Sequence, residues 1–181
     1  RSTPYHQAHS TTVAGLSNIK GGDNRFYNNI LVGGVEPATD ARKSTGKDSQ
    51  RTGGFGLWVY DARELPLQTG GNVYYNGARP CAKEASPSTL ADINPEPGIM
   101  EASDSVYLHL TLGPGLPKAA TMFVTTGLLG KAKNPALAYE NADGSPVVIN
   151  ADYFGRKRNK ARPSAGPFEN PGADTRTFKV W

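Results

Sequence analysis

Two histidines and a tyrosine lie close together near the start of the chain, at Tyr5, His6 and His9. Imidazole and phenol groups donate and accept hydrogen bonds, and a tyrosine ring also offers an apolar face. Such a set is typical of a polar and aromatic wall that hydrogen-bonds a sugar. A metal site would need a third Cys, Asp or Glu ligand, and none lies nearby in the sequence. The alternative is a surface loop whose imidazoles bond to neighbouring backbone.

Three further side chains extend this list of candidate sugar-lining residues. Asp23 and Arg25 either face a ligand or form a salt bridge that holds a corner of the chain, and the salt bridge is the commoner outcome. Trp58 has a ring that can stack on a pyranose, although such an indole more often packs in a core. Asp61 and Glu64 do not identify a catalytic pair, because carboxylates that cleave a glycosidic bond are arranged in space across the sugar. We therefore predict lining residues, but no catalytic residue, metal ligand or cofactor.

These residues must be positioned by the stretch from Gly21 to Gly34, in which the apolar run from Phe26 to Val32 contains two adjacent asparagines. Asparagine is depleted in strands and favours turns and left-handed backbone. The pattern therefore predicts short strands joined by tight corners, as in a parallel β-helix. Stacked corner asparagines can then hydrogen-bond from one coil to the next.

A second stretch echoes the first. Residues 72–76 repeat the pattern Asn-x-aromatic-Tyr-Asn that is found at residues 24–28. The echo matches Asn28 with Asn76, 48 positions later, which predicts two coils of roughly 24 residues or one coil with a long loop. Coincidence in a chain rich in Tyr, Asn and Gly is the alternative.

Alternating apolar residues predict further short strands, and no strong helical period appears. The clearest strand is Ser105 to Leu112, and Thr121 to Thr126 is predicted as its antiparallel partner across a loose turn. The two would form a small antiparallel layer beside the stacked coils. The other predicted elements are strands at 25–32, 55–60 and 147–149, helical turns at 88–93 and 126–133, a polar loop at 35–54, and an apolar tail at 178–181 that docks on the body.

Composition agrees with an all-β protein that has many turns. The 181 residues include 21 glycines and 14 prolines. The excess of 20 basic over 16 acidic side chains is too small to indicate a nucleic-acid partner. No stretch is apolar enough to cross a membrane, and the single Cys81 excludes an internal disulfide. We predict three regions: terminal β-helix coils at 1–85, a loop-rich insertion with an antiparallel hairpin at 86–146, and a closing coil with the C-terminal tail at 147–181.

Two motifs carry a resemblance to known families. The first consists of Thr3-Pro4-Tyr5-His6, His9-Ser10-Thr11, Ala14-Gly15-Leu16 and Gly22 to Asn29. It resembles the C-terminal part of bacterial right-handed β-helix glycoside hydrolases, and the family 120 β-xylosidases in particular. The second consists of Asp152-Tyr153-Phe154-Gly155, Arg158 and Gly166-Pro167-Phe168-Glu169. It resembles the last coil of pectate-lyase-like β-helix proteins and speaks only to fold. The similarity covers most of the chain.

The resemblance implies an all-β fold made of the C-terminal coils of a right-handed parallel β-helix, with long loops and a small antiparallel layer. It also implies retaining hydrolysis of β-1,4-linked xylosides by an Asp nucleophile and a Glu acid/base. In that family the two carboxylates lie in motifs upstream of the Tyr-His stretch, and neither motif is present here. We therefore expect the chain to hydrolyse nothing by itself. It would contribute the last coils and one cleft wall of a secreted or periplasmic enzyme that acts on xylan-derived oligosaccharides.

Three other functions remain open at this point. One is a non-catalytic β-helix module that binds polysaccharide or serves as a structural stack. A polysaccharide lyase would usually need Ca²⁺ held by clustered acids, and no such cluster is visible. Five basic residues between Arg156 and Arg162 would bind phosphate or nucleic acid, but a solvated turn is the usual outcome. The chain begins at Arg1 without a signal peptide, which we interpret as the middle of a gene product. The sequence sets neither the preferred sugar nor the oligomeric state.

Overall fold

The computed structural model describes residues 2–18, 21–34, 55–65 and 67–181, and the described chain is mostly β-structure. The all-β prediction is confirmed, while the predicted loop at 35–54 lies outside the described residues. Helical structure in the described part consists of two 3₁₀ turns, Leu57–Tyr60 and Leu116–Lys118, and one short helix, α1 (Thr126–Leu129). The described ranges contain ten strands: β1 (Ser2–His6), β2 (Val13–Asn18), β3 (Arg25–Tyr27), β4 (Ile30–Val32), β5 (Gln68–Gly70), β6 (Val73–Tyr75), β7 (Ser88–Leu90), β8 (Gly98–Ala102), β9 (Ser105–Thr111) and β10 (Thr175–Lys179).

Short parallel pairs form the centre of the molecule. β3 pairs with β5, and β4 pairs with β6, which also pairs with β7 on its other side. In the first two pairs every residue lies opposite the residue 43 positions later, as in Ile30 with Val73. The predicted side-by-side course of residues 26–32 and 73–76 in the same direction is therefore confirmed. Because β4 and β6 are direct neighbours, no further strand lies between them in the sheet, which disagrees with two coils of roughly 24 residues.

The predicted match of Asn28 with Asn76 is wrong by five positions. At the observed spacing of 43, Asn76 falls opposite Gly33, whose N–H donates to the Tyr75 carbonyl. The two asparagines instead end different strands, and both have left-handed backbone, with φ of 56° and 49°. The echo thus reflects the same local chemistry at two different corners. For the same reason the single predicted strand at 25–32 is two strands, interrupted at Asn28 and Asn29.

The predicted stacking of corner asparagines does occur, between Asn29 and Asn72. The N–H and the side-chain amide of Asn29 both donate to Asn72 Oδ1, at 2.8 and 3.0 Å. Asn72 is completely buried. Its own amide bonds onward to the Phe26 carbonyl and to the Glu84 carboxylate, both at 2.9 Å. The corner is therefore a continuous polar stack, and Glu84 terminates it.

Two apolar clusters lie on opposite faces of the β4–β6–β7 sheet. Successive residues of a strand point to opposite faces, so the fully buried Tyr74 and Tyr75 enter different clusters. Burying a side chain of this size contributes on the order of 2 kcal/mol. The Tyr74 cluster also contains Leu57, Leu67, Ala78 and Cys81, and the Tyr75 cluster contains Val73, Leu110, Leu112, Leu116, Ala119 and Ala165. The second cluster joins the parallel strands to the antiparallel layer.

The antiparallel layer is real, but its predicted pairing is wrong. β9 has the expected position, and it pairs with β8 on one side and β10 on the other. The segment predicted as its partner is not a strand, and Thr125 instead caps α1 by accepting the Leu128 N–H. Only two residues, Ser103 and Asp104, separate β8 from β9. Ser103 supplies the positive φ that a tight hairpin requires, so this local pairing prevails over a loose eight-residue connection.

Several smaller predictions are corrected. Residues 57–60 form a 3₁₀ turn rather than a strand, because Gly56 lies directly against the backbone of Arg79 with φ of 144°. Val148 and Ile149 are about half exposed and do not form a buried strand. Residues 88–90 are β7 rather than a helical turn, whereas α1 confirms the turn predicted within 126–133. In the tail Phe178 stacks on Phe168 with ring centres 4.1 Å apart, but Trp181 is exposed.

No helix in the described ranges has the length and apolar character needed to span a membrane. The three-region division stays a prediction.

Candidate sugar-binding site

Tyr5 and His6 lie on a two-stranded hairpin formed by β1 and β2. Tyr5 pairs with Gly15, and its hydroxyl lies 2.7 Å from where a β-carbon on Gly15 would stand, so the ring covers the glycine. The pairing shifts between Tyr5 and His6, which places His6 opposite Val13. His6 is exposed. The hairpin therefore presents one ring packed on its own backbone and one open imidazole.

His9 connects the turn of this hairpin to a distant segment. Its Nε2 lies 3.1 Å from Glu140 Oε2, and both side chains are partly exposed. Asp143 follows nearby, and the pKa of its carboxyl is lowered by bonds from the Ser145 hydroxyl and N–H. His9 thus has a partner within the protein, which agrees with an anchoring role better than with a free ligand.

Asp23 and Arg25 form the salt bridge that the sequence favoured. Arg25 Nη1 lies 2.6 Å from Asp23 Oδ1, and both side chains are largely buried. The other Asp23 oxygen accepts the Lys133 N–H at 2.7 Å. Arg25 also contacts the Asp23 carbonyl, the carbonyls of Leu129 at 3.0 Å and Lys131 at 2.7 Å, and the ring of Tyr139, 4.7 Å from the guanidinium. All these donors are engaged, so the pair holds the 129–139 segment against β3.

Trp58 lies in the first 3₁₀ turn, under a cation. The Arg79 guanidinium stands over its ring, 5.1 Å from the ring centre. One face of the indole is therefore covered rather than open to a sugar. Of the six predicted residues, His9, Asp23 and Arg25 all contact the 129–140 segment. A role in sugar contact for any of the six stays a prediction.

The closing motif is a compact network of hydrogen bonds between side chains and backbone. Asp152 accepts backbone N–H groups from Phe154, Arg156 and Glu169 at 2.8 to 2.9 Å. Burial opposes ionisation of this carboxyl, but the three bonds lower its pKa. Arg158 donates to the carbonyls of Ala151, Ser164 and Gly166 and lies 3.5 Å from Glu169 Oε2. The acids and the arginine of this motif are committed to backbone, so they cannot act as general acid or base.

Glu84 is a buried carboxylate that belongs to the corner stack. It accepts the Tyr74 hydroxyl, the Thr69 hydroxyl at 3.0 Å, and the N–H and amide of Asn72 at 3.2 and 2.9 Å. Burial, reinforced by the bond to Glu84, raises the pKa of Tyr74. A carboxylate with four donors and almost no exposed surface cannot reach a sugar. Glu84 therefore stabilises the corner.

Sequence reasoning missed a cavity of about 400 Å³ beside the first corner. Tyr27 lines it, and its hydroxyl has no hydrogen-bond partner among the described residues, while burial raises its pKa against a smaller effect of Arg25. The Asn28 amide is engaged by the backbone of Met122, at 2.6 and 2.9 Å. The other lining residues are Asn29, Ile30, Val124, Ile149, Arg158, Pro163, Gly166 and Pro167. A free hydroxyl in a cavity lined by both polar and aliphatic side chains suits a sugar ring. An outward tyrosine opposite a glycine, as Tyr27 is to Gly70, is the one signal that the sequence offered.

Catalytic carboxylates are missing from the cavities that we describe. The Tyr27 cavity, an apolar cavity of about 180 Å³ over β9, and a third of about 360 Å³ are lined without Asp or Glu. Within the described ranges no group of three or more His, Cys, Asp or Glu side chains could hold a metal ion. These three cavities therefore offer lining surface without a carboxylate of the kind that hydrolysis of a glycoside requires.

The chain is similar in structure to XylC. The solved structure is that of XylC in complex with xylose, and it superposes with a TM-score of 0.79 at 30% sequence identity. The match covers 100% of this chain and 30% of the XylC chain. No family model matches the sequence, and no curated protein matches it either.

The likeness to XylC supports the resemblance inferred from the sequence at a coarse level. It relates the whole of this chain to a part of a protein that was solved with a pentose sugar. The chain spans less than one third of the XylC length. The activity of a complete protein of that kind is therefore a matter for proposal.

Proposed function

We propose that this chain forms the C-terminal coils of a right-handed parallel β-helix glycoside hydrolase that resembles the family 120 β-xylosidases. In such an enzyme it supplies one wall of the cleft for xylan-derived oligosaccharides. The observation that carries the proposal is the similarity to XylC, solved with xylose, over the full length of this chain. At 30% identity and a TM-score of 0.79, the likeness extends to sequence as well as to backbone.

The strand arrangement supports a coiled stack. Two successive parallel pairs share the spacing of 43 residues, and a third strand, β7, continues the order beyond β6. The polar corner from Asn29 through Asn72 to Glu84 runs across these rungs. Parallel crossovers within one sheet are right-handed in nearly all proteins, which supports the right-handed sense. The antiparallel β8–β9–β10 layer packs beside the stack through the Tyr75 cluster.

The carboxylates of this chain bear on where the catalytic residues of the enzyme lie. A retaining glycosidase needs two carboxyl groups about 5–5.5 Å apart across the scissile bond. The described acids with mapped partners, including Asp23, Glu84, Asp152 and Glu169, are bound to arginine, amide or backbone groups. We therefore assign the nucleophile and the acid/base to residues outside this chain. The chain contributes binding surface, for which the Tyr27 cavity is one candidate. Because xylan is an external polymer, we place the enzyme outside the cytoplasm, in the periplasm or medium.

The test is hydrolysis by the gene product that contains this chain. Purified protein is assayed with nitrophenyl β-xyloside and nitrophenyl arabinoside, and we expect release of nitrophenol from at least one of them. The isolated 181-residue chain is the matched control and should release none. Absence of turnover on both substrates by the complete gene product would count against the proposal.

A non-catalytic polysaccharide-binding module is the second candidate. It is favoured by the lack of acidic side chains in the three cavities described above. Affinity electrophoresis in gels with and without soluble xylan separates the two functions. Retardation of a gene product that shows no hydrolysis indicates the binding module, whereas turnover indicates the enzyme.

A further inference from the structure

A cavity of about 360 Å³ lies against the closing segment and the second 3₁₀ turn, and its polar side chains are not all used by the protein. Arg162, Asn159 and Asn170 carry the uncommitted groups. The other lining residues are Leu116, Pro117, Ala119, Thr121, Pro163, Ser164, Pro171 and Gly172. The cavity differs from the one at Tyr27, and no lining residue is acidic.

The segment that carries these groups is held in place by the hydrogen-bond network of the closing motif. The two oxygens of Glu169 accept the N–H groups of Asn159 at 3.1 Å and Ser164 at 2.9 Å. Asn159 Oδ1 accepts the N–H of Arg162 at 3.1 Å, and the Ser164 hydroxyl accepts that of Asn170 at 3.0 Å. In the described part of the chain the Asn159 Nδ2 hydrogens and the Asn170 amide have no acceptor or donor. The backbone that carries these groups is held by the bonds above, which reduces the ordering that a bound ligand must bring about.

One guanidinium lines the cavity, and a second, which is not itself a lining group, lies against the lining residue Gly172. Arg162 lines it and forms no ion pair with any described residue. Nε and Nη2 of Arg176 lie 3.3 Å from where a β-carbon on Gly172 would stand, which places a second guanidinium at the Gly172 wall. Glu169, next in sequence to Asn170, is the nearest acid, and it does not line the cavity because its carboxylate is turned to the Asn159 and Ser164 N–H groups and to Arg158. A concave surface with donors and cations of one sign concentrates anions.

We propose that this cavity binds the carboxylate of an acidic sugar, a uronic acid unit, next to a xylan-derived chain. The sugar context rests on the proposed function. A guanidinium fork matches a carboxylate with two parallel hydrogen bonds, which an amine does not. The two asparagine amides and the Ser164 hydroxyl suit ring hydroxyls. Leu116, Pro117 and Pro171 offer apolar surface to the C–H face of a pyranose, and the volume admits one substituted ring.

The test is binding of glucuronic acid and glucose to the 181-residue chain, measured by NMR shift titration at low ionic strength. Glucuronic acid should bind at least tenfold more tightly than glucose. Arg162→Gln should lower its affinity about tenfold, which corresponds to about 1.4 kcal/mol. Arg176→Gln should lower it at least threefold. Lys157→Gln is the matched control, since Lys157 is an exposed cation of the same segment that does not line the cavity. The affinity of this variant for glucuronic acid should stay within twofold of the wild-type value.

Three results would overturn the proposal: equal affinity for glucuronic acid and glucose, equal losses in the Arg162 and Lys157 variants, or acetate binding as tightly as glucuronic acid. Arg162→Lys keeps the charge without the fork and should lose part of the affinity, which provides a second variant if the glutamine variant folds poorly. A negative result here leaves xyloside hydrolysis by the gene product untouched. Loss of that hydrolysis with intact uronate binding would instead count against the proposed function alone.

Discussion

The corner stack makes a quantitative prediction at Asn72, whose amide nitrogen lies 2.9 Å from Glu84 Oε1. Asn72→Asp keeps the oxygen that accepts from Asn29 but replaces the donor with a second carboxylate oxygen. Two charges about 4 Å apart repel by about 4 kcal/mol at an effective dielectric constant of about 20. Protonating one carboxyl at pH 7, about three units above its ordinary pKa, costs a similar 4 kcal/mol. Both routes therefore predict a loss of about 4 kcal/mol in the free energy of unfolding at pH 7.

The loss should depend on pH with a definite sign. The paired carboxyl has a higher pKa in the folded protein than in the unfolded chain, so the folded state binds the extra proton as pH falls. The deficit should shrink to about 1–2 kcal/mol near pH 4, which is the value of the lost donor alone. Urea unfolding followed by circular dichroism at both pH values measures it, with the exposed Asn134→Asp as control. A deficit below about 1 kcal/mol at pH 7, or one independent of pH, would refute the buried stack.

Three further predictions concern the closing segment and the core. Arg158→Lys loses the fork that reaches three carbonyls and should lower the free energy of unfolding by about 2–4 kcal/mol, whereas Arg156→Lys, at an exposed position, should have little effect in the same urea titration. The pKa of Asp152 is lower in the folded protein than its unfolded value of about 3.9, so its ionised carboxylate stabilises the fold above about pH 3.9 and this stabilisation is lost as pH falls through the folded pKa. The free energy of unfolding of the wild type should therefore exceed that of Asp152→Asn at neutral pH, and the difference should narrow in acid. A difference that is the same at both pH values would contradict this. Tyr75→Phe removes a buried bond to a carbonyl and should cost about 1 kcal/mol by thermal unfolding, while Tyr107→Phe should stay unchanged.

The tyrosine hydroxyls show how burial and titration are linked. Burial raises the pKa of Tyr75 to about 12, and its hydroxyl donates to the Leu112 carbonyl at 2.5 Å. A group that ionises only in strong base contributes no pH dependence near neutrality. Spectrophotometric titration should therefore show tyrosines that remain protonated until the protein unfolds in alkali.

Local sequence patterns predicted those parts of the fold that depend on neighbours in the chain. β9 alternates cleanly, and the Asn28–Asn29 interruption marks a corner because asparagine tolerates left-handed backbone. The salt bridge between Asp23 and Arg25 spans two positions and was recognisable for that reason. The pairing of β9 with β10 joins Thr111 to Thr175, and nothing local to either strand specifies a partner so far away.

The candidate site was harder to predict because distant segments build it. The Tyr27 cavity depends on Met122, which approaches Asn28 from 94 positions away. The residues that the sequence singled out for their chemistry, such as His9 and Trp58, have partners at Glu140 and Arg79 that periodicity does not reveal. Residue type identified groups able to bind a sugar, whereas only the fold shows which of them are already engaged.

The central claim is that this chain contributes binding surface without the catalytic carboxylates. Its most direct test compares the rate of nitrophenyl β-xyloside hydrolysis by the isolated chain with the rate by the gene product that contains it. The account predicts turnover by the gene product and no rate above the buffer background for the isolated chain. Turnover by the isolated chain, abolished by replacing one of its own carboxylates, would contradict it.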